Sequence, residues 1–108
     1  MKGIDPTIKW DKNSHDFGTI KQGEVVETVF TFVNLSKDTF QIENVKGSCG
    51  CLANQWTQTK VLPNQSGTVT VRFDSKGKTG QHLKSVTVYS NLGAYFLEIN
   101  ANVEKSDN

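Results

Sequence analysis

The sequence has little of what makes a membrane-spanning, helical or nucleic-acid-binding protein. No stretch approaches the roughly eighteen consecutive apolar residues that a bilayer span requires, and hydrophobic types make up only 35% of the 108 residues. Apolar residues nowhere recur at the three- and four-residue spacing of a helix face. Neither charge sign is in excess: 12 Lys and Arg stand against 11 Asp and Glu, a net charge of +1, with no run of like charge. That balance argues against a nucleic-acid partner, which calls for a basic face to release counterions. Met1-Lys2-Gly3 carries one positive charge and no apolar run behind it, so no secretory leader is read in these residues. Composition by itself leaves the compartment open.

What is present is alternation. Residues 67–75 place Val69, Val71 and Phe73 on one face and Thr68, Thr70 and Arg72 on the other. Residues 95–103 set Tyr95, Leu97, Ile99, Ala101 and Val103 against Phe96, Glu98, Asn100 and Asn102. Successive strand residues point to opposite faces, so both segments predict half-buried antiparallel strands. Residues 25–34 predict a long central strand with Phe30 and Phe32 inward. Residues 39–46 predict another, carrying Phe40, Ile42 and Val45, with a bulge where the alternation breaks. Residues 83–90 predict a strand with Val86 and Val88 inward. Thr7–Trp10 and His15–Ile20 read as one strand broken at 11–14.

Turn residues separate these segments at Lys21-Gln22-Gly23, Leu35–Asp38, Pro63–Gly67, Lys76–Gly80 and Asn91-Leu92-Gly93. About seven strands so punctuated predict an all-β, immunoglobulin-like antiparallel sandwich, with a small barrel as the alternative. The length suits a single domain, residues 1–108, with a core over 7–103 and a polar tail at 104–108.

The chain's two cysteines stand in Ser48-Cys49-Gly50-Cys51. A cross-sheet disulfide of the antibody kind is therefore impossible, and a bond between them closes a very short loop. Such a loop contributes roughly 1–2 kcal/mol on the chain-entropy model, which strain can cancel. Gly50, without a Cβ, is expected to let the backbone turn sharply enough to join the sulfurs. Three readings stand open: small buried side chains or a local structural disulfide, a redox dithiol, or a soft-metal site for Cu(I) or Zn on Cys49 and Cys51. Zinc wants four ligands, and beyond these sulfurs the chain has only His15 and His82, both distant in sequence.

Other motifs lead nowhere catalytic. Gly77-Lys78-Thr79 has the ending of a phosphate-binding loop, but Arg72 stands where that motif requires glycine and the segment joins two strands. His15 and Asp16 are neighbours on a strand and point apart. No Gly-x-Ser-x-Gly elbow is present. The expectation is a protein that is not an enzyme and takes no cofactor. Asn34-Leu35-Ser36 and Asn64-Gln65-Ser66 match the glycosylation triplet, which chance produces often. Trp56 and Phe96 are the candidate contacts for a protein or surface partner; the competing reading has Trp56 capping the sandwich and Phe96 beneath a loop.

One set of residues resembles a known family. It comprises His15–Ile20 with Gly23, Val29–Asn34, Val45 through Cys49-Gly50-Cys51, Leu62-Pro63 with Ser66-Gly67, Val71–Gly77, and Val88–Asn91. Together, over roughly residues 14–103, these look like a bacterial family of immunoglobulin-like domains of unknown function with a Cys-Gly-Cys motif. That family resembles, more distantly, the major sperm protein, Hydin-like and PapD-like sandwiches. The resemblance implies seven to nine strands and export to the periplasm or cell surface, with the leader expected outside these residues. It supplies no activity. Export would allow an oxidised Cys49–Cys51 pair. Leu52 departs from the family pattern, which usually has Thr after the second cysteine.

Overall fold

The computed structural model describes residues 8–105. Thr7, placed in the first strand from sequence, and the last three residues of the polar tail fall outside that range. Alternation decides the architecture. Along Ser66–Asp74, Val69, Val71 and Phe73 have no exposed surface, while Thr68, Arg72 and Asp74 face solvent. Along Gly93–Glu104 the buried set is Leu97, Ile99, Ala101 and Val103. Each such side chain contributes about 1.5–3 kcal/mol by leaving water. Hiding both apolar faces at once requires two sheets stacked face to face.

The strands are β1 (Ile8–Trp10), β2 (Ser14–Lys21), β3 (Val25–Asn34), β4 (Ile42–Gly47), β5 (Leu52–Trp56), β6 (Ser66–Asp74), β7 (Gly80–Ser90) and β8 (Gly93–Glu104). One four-stranded sheet has the order β1-β3-β6-β5 and the other β2-β8-β7-β4. The fold is an immunoglobulin-like sandwich. Its core joins Phe30, Phe32, Val69, Val71 and Phe73 of the first sheet to Ile42, Val45, Val86, Val88 and the inner face of β8 from the second. Aromatic rings close one end of it. Phe32 lies 5.0 Å from Trp10 and 5.1 Å from Phe40, and Tyr95 lies 6.0 Å from both Trp10 and Phe40.

Several local expectations need correction. The alternation of residues 95–103 predicted antiparallel neighbours, yet β8 has one of each kind: β7 antiparallel and β2 parallel. Side-chain period is the same in both ladders, so it carries no information on direction. Direction is set at the break between β1 and β2. Asp11 is still bonded to β3, its N–H donating to Thr31 O and its Oδ1 accepting from Thr31 N. Two residues later Asn13 O accepts from Glu98 N of β8. The chain has changed sheets without turning back. What reads as one interrupted strand is two strands in different sheets.

Phe40, expected inside a strand over 39–46, instead makes an isolated bridge to Val61, because Asn91 takes both backbone groups of Gln41 and holds the chain off the sheet until Ile42. The expected bulge lies between Ile42 and Asn44. Strand β5 was not expected. Leu-Ala-Asn-Gln-Trp has weak strand propensity, and pairing to β6, Leu52↔Phe73 through Trp56↔Val69, holds it in place. Strand β8 runs on to Glu104, which pairs with Lys21, so the polar tail begins one residue later than its composition suggests.

Candidate functional site

The Cys-Gly-Cys segment is the corner where the chain passes from β4 in one sheet to β5 in the other. Gly47 ends β4 because a side chain would have no room: a Cβ there would stand 2.8 Å from Leu52 Cδ1 and 2.9 Å from Leu52 Cβ. Leu52 thus packs back over the corner and against the core. The corner is bonded on three sides. Ser48 N donates to Ser85 O at 2.9 Å and Ser48 Oγ accepts from Ser85 N at 3.1 Å. Leu52 N donates to Cys49 O at 3.3 Å, closing a turn, and Asp74 N donates to Cys51 O at 3.0 Å.

Cys49 and Cys51 form a disulfide, with their Cα atoms 5.3 Å apart. Both are half-buried, and Cys51 rests against the core. Cys51 N donates to Cys49 Sγ at 3.3 Å. Gly50 is exposed, its φ is not positive, and a Cβ on it would meet nothing within 4 Å. The expectation that this bond depends on glycine is therefore corrected: the backbone here is one that any residue adopts. Beside the sulfurs lies an open depression of about 420 Å³, lined by Cys49, Gly50, Cys51, Asp74, Lys76 and Lys78.

The two lysines come from the β6–β7 turn, whose position is fixed from beneath. Ser75 is fully buried; its N–H and Oγ donate to Glu24 O, and its Oγ also reaches Lys21 O. Lys78 N donates to Ser75 O at 2.9 Å, and Asp74 Oδ1 accepts from Lys76 N at 3.0 Å. Gly77-Lys78-Thr79, set aside as a phosphate loop, is thus a turn that brings cations to the disulfide.

The histidines are elsewhere. His82 Nε2 lies 3.0 Å from Thr79 O and its ring 6.0 Å from Phe73. His15 stacks edge-on to Phe17 at 4.8 Å, while Asp16 turns outward to accept Gly18 N. Among the described residues no three His, Cys, Asp or Glu side chains converge on a common point. Neither histidine joins the sulfurs as a ligand set for zinc.

The two aromatic candidates do not meet. Trp56 is half-buried on β5 and packs against the core. Phe96 is on the outer face of the other sheet and is 68% exposed, with no loop over it. Its neighbours there follow from register. Thr87 is opposite it on β7, Lys46 lies beyond on β4, and Tyr89, 42% exposed, is the diagonal neighbour. Tyr89 was not singled out from sequence. The signal for it was the Asn91-Leu92-Gly93 turn, which fixes the β7–β8 register and hence the pairing Tyr89↔Ala94.

Residues 8–103 match the model of a family described as protein of unknown function, DUF1573. The chain belongs to the DUF1573 family. No curated protein sequence matches it. Solved structures similar to this DUF1573 chain include a protein of unknown function from Porphyromonas gingivalis W83, at 13% identity and a TM-score of 0.76. That match covers 89% of the present chain but 46% of the other, so the DUF1573 chain spans less than half of its length. The PapD-like domain 7 of human CEP192 matches at 9% identity, over 99% of this chain and 96% of that one, with a TM-score of 0.75. The secreted serine protease VesC from Vibrio cholerae matches at 14% identity, over 82% of this chain and 21% of that one, with a TM-score of 0.60. At these identities the likeness is one of fold.

Proposed function

We propose that this DUF1573 chain is a non-catalytic binding module of an exported bacterial protein, and that it docks a protein partner through the outer face of the β2-β8-β7-β4 sheet. One observation carries the reading. Phe96 and Tyr89 stand diagonally across β7 and β8, both exposed, on a face where Lys46 and Glu98 supply charge of either sign. Exposed aromatics rimmed by polar groups are the usual anchors of a protein contact. The partner this fits presents an apolar side chain ringed by polar ones.

Export draws support from the disulfide, which persists in oxidising compartments. It also draws on VesC, a secreted protease in which the matching part is about a fifth of the chain. Trp56 has no place in this surface, since it packs inward.

The test is site-specific photocrosslinking of the full-length protein in the cells that encode it. A photoreactive residue at position 96 or 89 should give the same discrete adduct. The same residue at Ala53, on the outer face of the other sheet, should give none. Equal labelling from all three positions, or from none, overturns the docking face. Recovery of the protein in the cytoplasmic fraction overturns export.

A further inference from the structure

We propose that the Cys49–Cys51 disulfide is a thiol–disulfide exchange site, and that Lys76 and Lys78 make it selective for thiols carrying negative charge. This goes beyond the docking face and does not depend on it.

Four observations converge. The corner has bonds besides the disulfide: the Ser48–Ser85 pair, the turn from Cys49 O to Leu52 N and the link from Asp74 N to Cys51 O, none of which runs through a sulfur. Reduction is therefore expected to leave the two sheets joined. Both cysteines line an open depression of about 420 Å³, which admits a small thiol or a cysteine side chain on a peptide. Lys76 and Lys78 line the same depression. A facing cation draws in an anionic thiolate and stabilises the thiolate released when the bridge opens. The single opposing charge, Asp74, has Oδ1 engaged by Lys76 N. Finally, Cys51 N donates to Cys49 Sγ, which marks Cys49 as the sulfur where negative charge is stabilised.

The exchange balances as follows. A thiolate attacks Cys51 Sγ; a bond forms between the incoming sulfur and Cys51, the Cys49–Cys51 bond breaks, and its electron pair leaves on Cys49. A second thiolate attacks the incoming sulfur of this mixed disulfide and releases the Cys51 thiolate. Two thiols have lost two electrons and two protons and become one disulfide, and the bridge has become a dithiol. The reductant is an acidic thiol, either a small molecule or a cysteine flanked by carboxylates.

The experiment uses the oxidised full chain and two probes, anionic 2-mercaptoethanesulfonate and cationic cysteamine. The appearance of thiols is followed by alkylation and mass measurement. Each rate is divided by that probe's rate on a small neutral disulfide. At low salt the anionic probe is expected to be favoured by about fivefold or more, the scale of local electrostatic attraction in a cationic depression. The preference should shrink toward unity in about 1 M salt, where charges are screened beyond roughly 3 Å. It should also be lost in the Lys76→Glu, Lys78→Glu double variant, whose fold is checked by its near-ultraviolet spectrum. If that variant fails to fold, the salt series decides alone. A bridge that resists millimolar thiol in the folded protein overturns the site. Equal normalised rates for the two probes, or a preference untouched by salt, overturn the role of the lysines.

Discussion

Lys12 Nζ lies 3.0 Å from His15 Nδ1. An ammonium can only donate, so Nδ1 accepts and the imidazole is neutral with its proton on Nε2. The same ammonium donates to Thr28 Oγ1 at 2.9 Å and sits 5.5 Å from the centre of the Phe30 ring. It is beside the stretch of β3, Val25–Val29, that has no strand on its outer side among the described residues. An inward-facing charge there discourages unwanted strand pairing. Burial, and then the Lys12 charge, push the His15 pKa below 6.5, with Asp16 opposing.

The direction of the pH effect follows. Below 6.5 the unfolded chain protonates His15 before the folded one does, so the folded state binds fewer protons. Stability is unaffected by His15 above pH 6.5 and falls as pH drops from there through the folded pKa. The melting temperature should decline between pH 7.5 and 5.5. The decline should be smaller in His15→Gln; equal declines would show that His15 does not titrate against Lys12.

Two phenylalanines should behave oppositely. Phe32 is fully buried and contacts both Trp10 and Phe40. Phe32→Ala is expected to cost about 3–5 kcal/mol in denaturant unfolding. Phe96→Ser, on the outer face, should change stability by no more than about 0.5 kcal/mol.

Gly67 and Gly50 give a similar contrast. At Gly67 a Cβ would be driven into the Phe32 ring, whose packing leaves no slack. Gly67→Ala should therefore destabilise by about 1–3 kcal/mol. Gly50→Ala meets open space, and should unfold at the wild-type denaturant midpoint with the Cys49–Cys51 bond still formed.

Asn34 is a buried polar group with all its capacity in use. Its Nδ2 donates to Asp38 O and Val61 O, and its Oδ1 accepts from Ser36 N and Ser36 Oγ. It pins the loop after β3 to Val61 with no exposed surface, so the Asn34-Leu35-Ser36 triplet offers no free amide to a sugar. Asn34→Ala strands several partners at once and should cost about 2–3 kcal/mol, read as a lower urea midpoint with an unchanged slope.

The fold was legible wherever one face of a strand carries the burial by itself. Val69, Val71 and Phe73, or Leu97, Ile99 and Ala101, announce their orientation by spacing alone. Strand β5 was illegible because its inward residues, Leu52, Asn54 and Trp56, are interrupted by a polar one, and β6 supplies the order that its own sequence lacks. The parallel placement of β2 was illegible because a two-residue period is blind to chain direction. At the site, the sulfurs stood out as the only cysteines, whereas Lys76 and Lys78 are 25 or more positions away from Cys51 and only the β5–β6 register brings them near. Tyr89 beside Phe96 could have been read from the hairpin; Trp56 against the core matches the competing reading, which rested on the usual burial of large aromatics rather than on β5, itself unseen.

Among the described residues β2 pairs with β8 alone, so during synthesis it has no sheet to join until β8 is made. Residues 14–21 must wait for 98–104. Synthesis from the N-terminal side onward thus leaves an open half-sandwich until β8 has emerged. A stop or truncation before Glu98 would leave β2 unpaired and the apolar inner face of β7 uncovered along one side.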